Sequence, residues 1–120
     1  SGGGGGESDE QQRAAQYVDT LVSRANRQVD DSAVERGLAY FEAARQSNEA
    51  EDFQTATSYF ENSFLLHPKL NTLLSTGNMH LKMGNLPIAA EIYRRISLDP
   101  SASAQAREMA ARKLQAMGSW

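Results

Sequence analysis

An internal repeat constrains the fold of this chain more than any other feature of its sequence. Shifting the sequence by 33 residues aligns its central part with itself. The matched pairs are Ala44 with Gly77, Asp52 with Asn85, Phe53 with Leu86, Ala56 with Ala89, and Phe60 with Tyr93. Pro68 pairs with Pro100 at a shift of 32, so the second unit is one residue shorter. A period of this length is typical of repeat proteins, in which similar units stack and bury a continuous core.

The spacing of apolar residues indicates that the repeated units are helical. Apolar residues recur at intervals of three and four, whereas the alternating pattern of a strand is missing from the sequence. Ser8 with Gln11, and Ser32 with Glu35, form capping boxes that predict the starts of the first two helices. The sequence therefore predicts an all-α fold of six helices, at residues 8–29, 32–50, 52–67, 70–83, 86–98 and 103–117.

Proline and glycine predict the ends of the later helices. Pro68 and Pro100 end the third and fifth helices, because proline lacks an amide N–H and disfavours helix in the residue before it. Gly84 supplies the left-handed position after the fourth helix, and Gly118 stops the last one. Pro87 fits the first turn of the fifth helix, where its missing N–H costs nothing. The connections are therefore short, as expected for helices that fold back on one another.

The repeat divides the chain into predicted segments. Residues 1–7 are glycine-rich and have nothing to bury, which predicts a flexible linker or a cloning remnant. One helical domain is expected over residues 8–118. Its parts are an N-terminal helix at 8–30, repeat 1 at 32–69, repeat 2 at 70–100 and a C-terminal capping helix at 101–118. Because two hairpins leave apolar faces uncovered, we expect the first and last helices to cover the two ends of the array.

The two units resemble the tetratricopeptide repeat. In repeat 2, the segments that resemble the family pattern are Thr76-Gly77-Asn78, Lys82-Met83-Gly84-Asn85-Leu86, Ala89-Ala90, Tyr93 and Leu98-Asp99-Pro100. Repeat 1, residues 37–70, fits it at Tyr40, Ala44, Phe53, Ala56, Phe60, Leu65-Leu66 and Pro68. It departs at Ser47, where the family prefers tyrosine, and at Glu51, where the family prefers glycine. The resemblance implies antiparallel helix hairpins wound into a right-handed superhelix.

The resemblance also implies a binding surface. In this family, the first helix of each hairpin lines a concave face that contacts an extended peptide or a helix of a partner protein. The corresponding positions are Leu38, Phe41, Arg45, Asn48, Asn71, Leu74, Asn78, Leu81 and Lys82. Asn and Arg side chains can hydrogen-bond an extended ligand, and Leu or Phe can anchor it. Alternatively, Phe41, Leu74 and Leu81 simply pack against the N-terminal helix or the neighbouring hairpin.

One ligand class known in the family is not predicted here. Some members hold the C-terminal carboxylate of a chaperone with a clamp of Lys and Asn residues from three repeats. Asn78 matches one clamp asparagine, but Arg45 and Phe41 replace two other clamp residues. A third full repeat is also missing, so the clamp is at best partial and chaperone-tail binding is not expected.

Composition and motifs argue against other classes of function. A net charge of −3 and a pI near 5.3 disfavour nucleic-acid binding. The sequence contains no run of 18 apolar residues, so membrane insertion is not expected. The chain has no cysteine, which excludes disulfides and cysteine metal sites. The carboxylates sit where helix caps are expected, His80 occupies a packing position, and His67 lies in a turn. We therefore expect no catalysis, cofactor or metal ion.

Together these observations predict a non-catalytic adaptor or scaffold module that binds another protein inside the cell, in the cytoplasm. The alternative is a self-assembling structural element, in which copies dimerise or stack through terminal helices or an uncapped hairpin face. Tyr17, Val18, Leu21 and Val22 of the first helix could pack onto a second copy as readily as onto their own chain.

Overall fold

Six α-helices make up the computed structural model, which describes residues 5–28 and 30–118. They are α1 (Gly5–Arg24), α2 (Asp31–Glu49), α3 (Phe53–Leu66), α4 (Leu70–Lys82), α5 (Leu86–Leu98) and α6 (Ala104–Ala116). Over these residues no strand is present, and none of the helices is long and apolar enough to cross a membrane. The predicted all-α array of helix hairpins is confirmed.

Local signals place the later helices where the sequence predicts them. The Asp52 carboxylate accepts a hydrogen bond from the Thr55 N–H at 3.3 Å and caps α3. The Ser103 hydroxyl accepts one from the Ala106 N–H at 3.0 Å and caps α6. Gly84 and Gly118 follow α4 and α6 with φ of 81° and 87°, the left-handed conformation that glycine adopts without strain.

The N-terminal boundaries differ from those predicted. α1 begins at Gly5 and ends at Arg24, whereas the capping box at Ser8 predicted residues 8–29. The cap of α2 is Asp30, whose carboxylate accepts from the Ala33 N–H at 2.9 Å, and not Ser32. A charged acceptor in front of the helix dipole outcompetes a hydroxyl two residues later. Of the predicted linker, residues 5–7 belong to α1, while residues 1–4, like Val29, lie outside the described residues.

Close backbone approach joins the helices of each hairpin. In the α4–α5 hairpin, a Cβ added to Gly77 would lie 2.9 Å from the Ile92 Cγ2 atom. In the α2–α3 hairpin, a Cβ on Gly37 would lie 2.6 Å from the Cβ of His67, and the Ser63 hydroxyl donates to the Gly37 carbonyl at 2.7 Å. α3 packs against α4 and so stacks one hairpin on the other.

The flanking helices do not play equivalent roles. α6 packs against α5 and α4 and covers the last hairpin, as expected. α1 packs mainly against α5, with a smaller contact to α3, so it does not cover the outer face of α2. The reason is the main hydrophobic cluster, in which Val18 and Leu21 of α1 pack with Ile92 and Ile96 of α5. The prediction that α1 covers the first end of the array is therefore wrong.

Candidate partner-binding groove

An open groove of about 410 Å³ brings together residues of α2, α3, α4 and α6. We call it the α2–α4–α6 groove, since α2 and α4 supply most of its lining and α6 adds Lys113, whereas the one residue of α3, Phe60, belongs to a core cluster. Its lining residues are Phe41, Arg45, Asn48, Phe60, Ser75, Asn78, Met79, Leu81, Lys82 and Lys113. The first helices of the two hairpins thus form most of its surface.

The structure brings six of the nine predicted binding residues into this groove. They are Phe41, Arg45, Asn48, Asn78, Leu81 and Lys82. The other three lie elsewhere: Leu74 is buried in the main hydrophobic cluster, Leu38 is 56% exposed and does not line the groove, and Asn71 is exposed in the first turn of α4. For Leu74, the packing alternative describes its position, because α4 lies between other helices and buries more than one face.

Asn78 presents its amide hydrogens to the groove. The hydroxyl of Tyr93 donates a hydrogen bond of 2.7 Å to its Oδ1 atom. Tyr93 is fully buried, and burial raises the pKa of this hydroxyl to about 12, so it stays protonated and remains a donor at neutral pH. Because the amide oxygen of Asn78 is occupied, its Nδ2 group is left to donate to a ligand.

Lys82 and Asn48 connect the two hairpins at the groove. The Lys82 Nζ atom donates to Asn48 Oδ1 at 2.9 Å and lies 5.1 Å from the centroid of the Phe53 ring. The contact leaves the Nδ2 hydrogens of Asn48 available, as at Asn78. Both asparagines therefore offer donors, which suits the carbonyl or carboxylate oxygens of a bound segment.

An apolar floor lies beneath these donors. The rings of Phe41 and Phe60 meet edge to face with centroids 5.3 Å apart, and Met79 is buried beside them. Phe41 and Leu81 therefore combine the two roles that the sequence left open, because each packs against a hydrophobic cluster and also lines the groove. Such a floor can hold an apolar side chain of a partner.

Lys113 is a groove residue that the sequence reasoning missed. It lies on α6, which was expected only to cap the array. A signal was present, since Lys113 follows the buried Ala106 by seven residues and the buried Ala110 by three, so it lies on the face of α6 that packs against the hairpins. Ser75, Phe60 and Met79 were also missed as lining residues; the two apolar ones are primarily core residues.

A larger cavity of about 790 Å³ lies at the opposite end of the hairpins, against the connection between α1 and α2. Phe64, Leu73 and Ile96 form part of its apolar wall, and His67 and Arg95 also line it. None of the predicted binding residues lies there. Gln28 also lines this cavity, directly before position 29, which lies outside the described residues, and we assign the cavity no ligand.

His80 is structural, in keeping with its predicted packing role. It is 5% exposed, and burial lowers its pKa to about 4, so the imidazole is neutral at pH 7. The Tyr17 hydroxyl donates to Glu61, so the hydrogen between Tyr17 and His80 Nε2 (2.9 Å) must come from the imidazole. His80 Nδ1 then accepts from Asn85 Nδ2 at 3.1 Å. This chain of hydrogen bonds, which we call the Tyr17–His80 relay, ties α1 to the hairpins.

A metal site was also sought among the residues that the structure describes. Within residues 9–28 and 30–118, no three His, Asp or Glu side chains are grouped so that they could hold a metal ion. Comparison with protein-family models, with curated proteins and with solved structures found no match for this chain. The geometry of the α2–α4–α6 groove is therefore the basis for a functional proposal.

Proposed function

We propose that this chain is a non-catalytic module of the tetratricopeptide-repeat type, which binds a segment of a partner protein in the α2–α4–α6 groove. The observation that carries the proposal is the convergence of Asn48, Asn78 and Lys82 as hydrogen-bond donors above an apolar floor. Donors of this kind bind the carbonyl groups of an extended chain, and the floor accepts a side chain between them. An adaptor or scaffold role follows from such binding.

Blocking the groove tests the proposal. Peptides are first selected from a random 12-residue library displayed on phage, with the full 120-residue chain as bait. Ser75 is half-buried in the groove lining, so Ser75→Trp fills the groove and is expected to abolish binding of the selected peptides, measured by fluorescence anisotropy. Ser58→Trp, on the exposed surface of α3, is the matched control and should bind as the parent does. Circular dichroism verifies that both variants are helical.

A second, smaller perturbation keeps the test valid if Ser75→Trp unfolds. Arg45 is exposed and forms an ion pair with the exposed Glu42 at 3.0 Å, so Arg45→Ala leaves the core intact. Weaker peptide binding by this variant supports the proposal. Failure to select any peptide, or peptides that bind both groove variants as tightly as the parent, would contradict it.

One observation favours the alternative function, self-assembly. Because α1 lies against α5 and α3, α2 packs chiefly against α3 and keeps Leu38 exposed on its surface. The same surface carries Asp31, Glu35, Glu42 and Glu49, whose like charges oppose a symmetric contact between two copies of α2. Sedimentation velocity over a concentration series decides the matter: a monomer at the highest concentration eliminates self-assembly, whereas a reversible dimer that Leu38→Glu abolishes establishes it.

A further inference from the structure

Cationic side chains from three helices converge on the α2–α4–α6 groove. They are Arg45 of α2, Lys82 of α4 and Lys113 of α6, and no carboxylate is among the residues that line it. Glu42 neutralises Arg45 from outside the groove, which leaves the two lysines as its main positive charges. The groove is therefore locally positive on a chain whose net charge is −3.

The polar groups between these cations reinforce this preference. The oxygen atoms of Asn48 and Asn78 already accept hydrogen bonds from Lys82 and Tyr93, so the N–H groups are the main hydrogen-bonding groups that both amides offer to a ligand. A ligand with acceptor oxygens fits this lining, whereas a ligand rich in donors or positive charge would meet unmatched N–H groups. Complementary charge selects such a ligand and speeds its association.

The positions of the lysines distinguish two possible sources of negative charge. Lys82 lies at the C-terminal end of α4 beside the first hairpin, whereas Lys113 lies on α6 at the other end of the array. One terminal carboxylate would satisfy one of these sites, while carboxylate side chains spaced along a segment can satisfy both. The apolar floor of Phe41, Phe60 and Met79 lies in the same groove and suits an apolar side chain of that segment.

We propose that the partner segment is acidic and internal, with side-chain carboxylates paired to Lys82 and Lys113, and that Lys113 determines specificity from the capping helix. This inference rests on the proposed function, because it names the chemistry of the segment that the groove binds. It assigns α6 a part in recognition in addition to its part in covering the last hairpin.

The test uses the full chain and the peptides selected from the random library, prepared with acetylated N-termini and amidated C-termini. We expect Asp and Glu to be enriched in these peptides, and we expect binding to weaken when a paired Asp is replaced by Asn or a paired Glu by Gln. Lys113→Gln and Lys82→Gln should each weaken binding by about fivefold, as for exposed charge pairs. The affinity should also fall as sodium chloride rises from about 50 mM to about 500 mM.

Arg112→Gln is the matched control, since it removes one positive charge from the same helix at a side chain that is 73% exposed and outside the groove. It should bind the acidic peptide as the parent does. Equal losses in Arg112→Gln and Lys113→Gln would overturn the assignment of Lys113, because they would reflect net charge alone. Binding that requires a free C-terminus would overturn the internal segment.

The two proposals fail in different ways. Selected peptides that are neutral or basic, yet lose binding in Ser75→Trp, overturn the acidic preference and leave the groove as the binding site. Peptides that bind every groove variant as tightly as they bind the parent overturn both proposals.

Discussion

The two hairpins share a repeat length and a chain path, but their surroundings are different. In the α4–α5 hairpin, Ile92, Tyr93 and Ile96 are fully buried, because α1 and α6 cover α5 and α3 covers α4. In the α2–α3 hairpin, the buried residues of α2 are only Ala33, Gly37 and Ala44. A repeat unit at the edge of an array lacks a neighbour on one side, so its outer helix α2 buries only small residues, whereas the equivalent helix α4 buries Leu73, Leu74 and Met79.

The difference means that a well-packed hairpin and a more exposed one both line the α2–α4–α6 groove. The covered hairpin holds Asn78 in place through the buried Tyr93, whereas the uncovered hairpin supplies the exposed Arg45 and the half-buried Phe41. We therefore expect changes in the α4–α5 hairpin to cost more stability than equivalent changes in the α2–α3 hairpin.

Overpacking the two helix crossings tests this comparison most severely. Gly77→Leu drives a side chain into Ile92 and Tyr93 and should lower the free energy of unfolding by about 3 to 4 kcal/mol, because the surrounding helices prevent adjustment. Ala44→Leu, at the equivalent position of the first hairpin, should lower it by about 2 kcal/mol, since α2 can move outward. Urea unfolding measures both values, and equal losses would remove the distinction between the hairpins.

Acidification should weaken the covered side of the molecule through His80. The unfolded imidazole has a pKa of 6.5 and the folded one about 4, so between these values the unfolded chain binds the extra proton. The lowered pKa of His80 adds its full share to the free energy of unfolding above pH 6.5. That share is lost as the pH falls, and the loss reaches about 3 kcal/mol at pH 4.

Two histidine variants isolate that effect in urea unfolding series between pH 7 and pH 4. His80→Gln should remove most of the loss, whereas His67→Gln leaves the Tyr17–His80 relay in place and should follow the parent. A parent chain whose unfolding free energy does not fall in this range would contradict the assignment of a buried neutral imidazole.

The smallest effects are expected at the turns inside the two hairpins, which correspond at a shift of 33 residues. Glu51 has φ of 62°, a conformation that strains a residue with a Cβ, while Gly84 adopts φ of 81° without strain. Glu51→Gly should raise the free energy of unfolding by about 0.5 to 1 kcal/mol, and Gly84→Ala should lower it by about 1 kcal/mol. Thermal denaturation measures both changes in stability. If both variants were more stable than the parent, or both less stable, the assignment of strain to Glu51 and not to Gly84 would be wrong.

Features that depend on neighbouring residues in the sequence could be predicted, and features that depend on distant ones could not. Caps, prolines and glycines placed α5 at its observed residues and α4 and α6 within one residue of each boundary. Positions transferred from the resemblance to the tetratricopeptide repeat include six that line one groove, because the first helices of stacked hairpins lie side by side. Local cues failed at Asp30 and Ser32, where two acceptors compete for one helix start.

The position of α1 could not be predicted from its periodicity. An apolar stripe indicates that a helix packs on something, but not on which helix it packs. The contacts that fix its position are distant in sequence: besides the apolar packing on α5, Arg95 forms an ion pair with Asp19 at 2.7 Å and donates to the Ala15 carbonyl at 3.1 Å. Lys113 escaped prediction for the same reason, because its place in the groove depends on how α6 packs against α4 and α5.

The long sequence separation between α1 and α5 has a consequence for the order of folding. The Arg95 contact with Ala15 joins residues 80 positions apart, and the surface that receives α1 does not exist until α3 and α5 are stacked. Each hairpin closes a short loop, whereas docking of α1 closes a loop around both, at a larger entropic cost. During synthesis on a ribosome, α1 therefore emerges before α3 and α5, the helices that it contacts. It can dock only after α5 has emerged and packed.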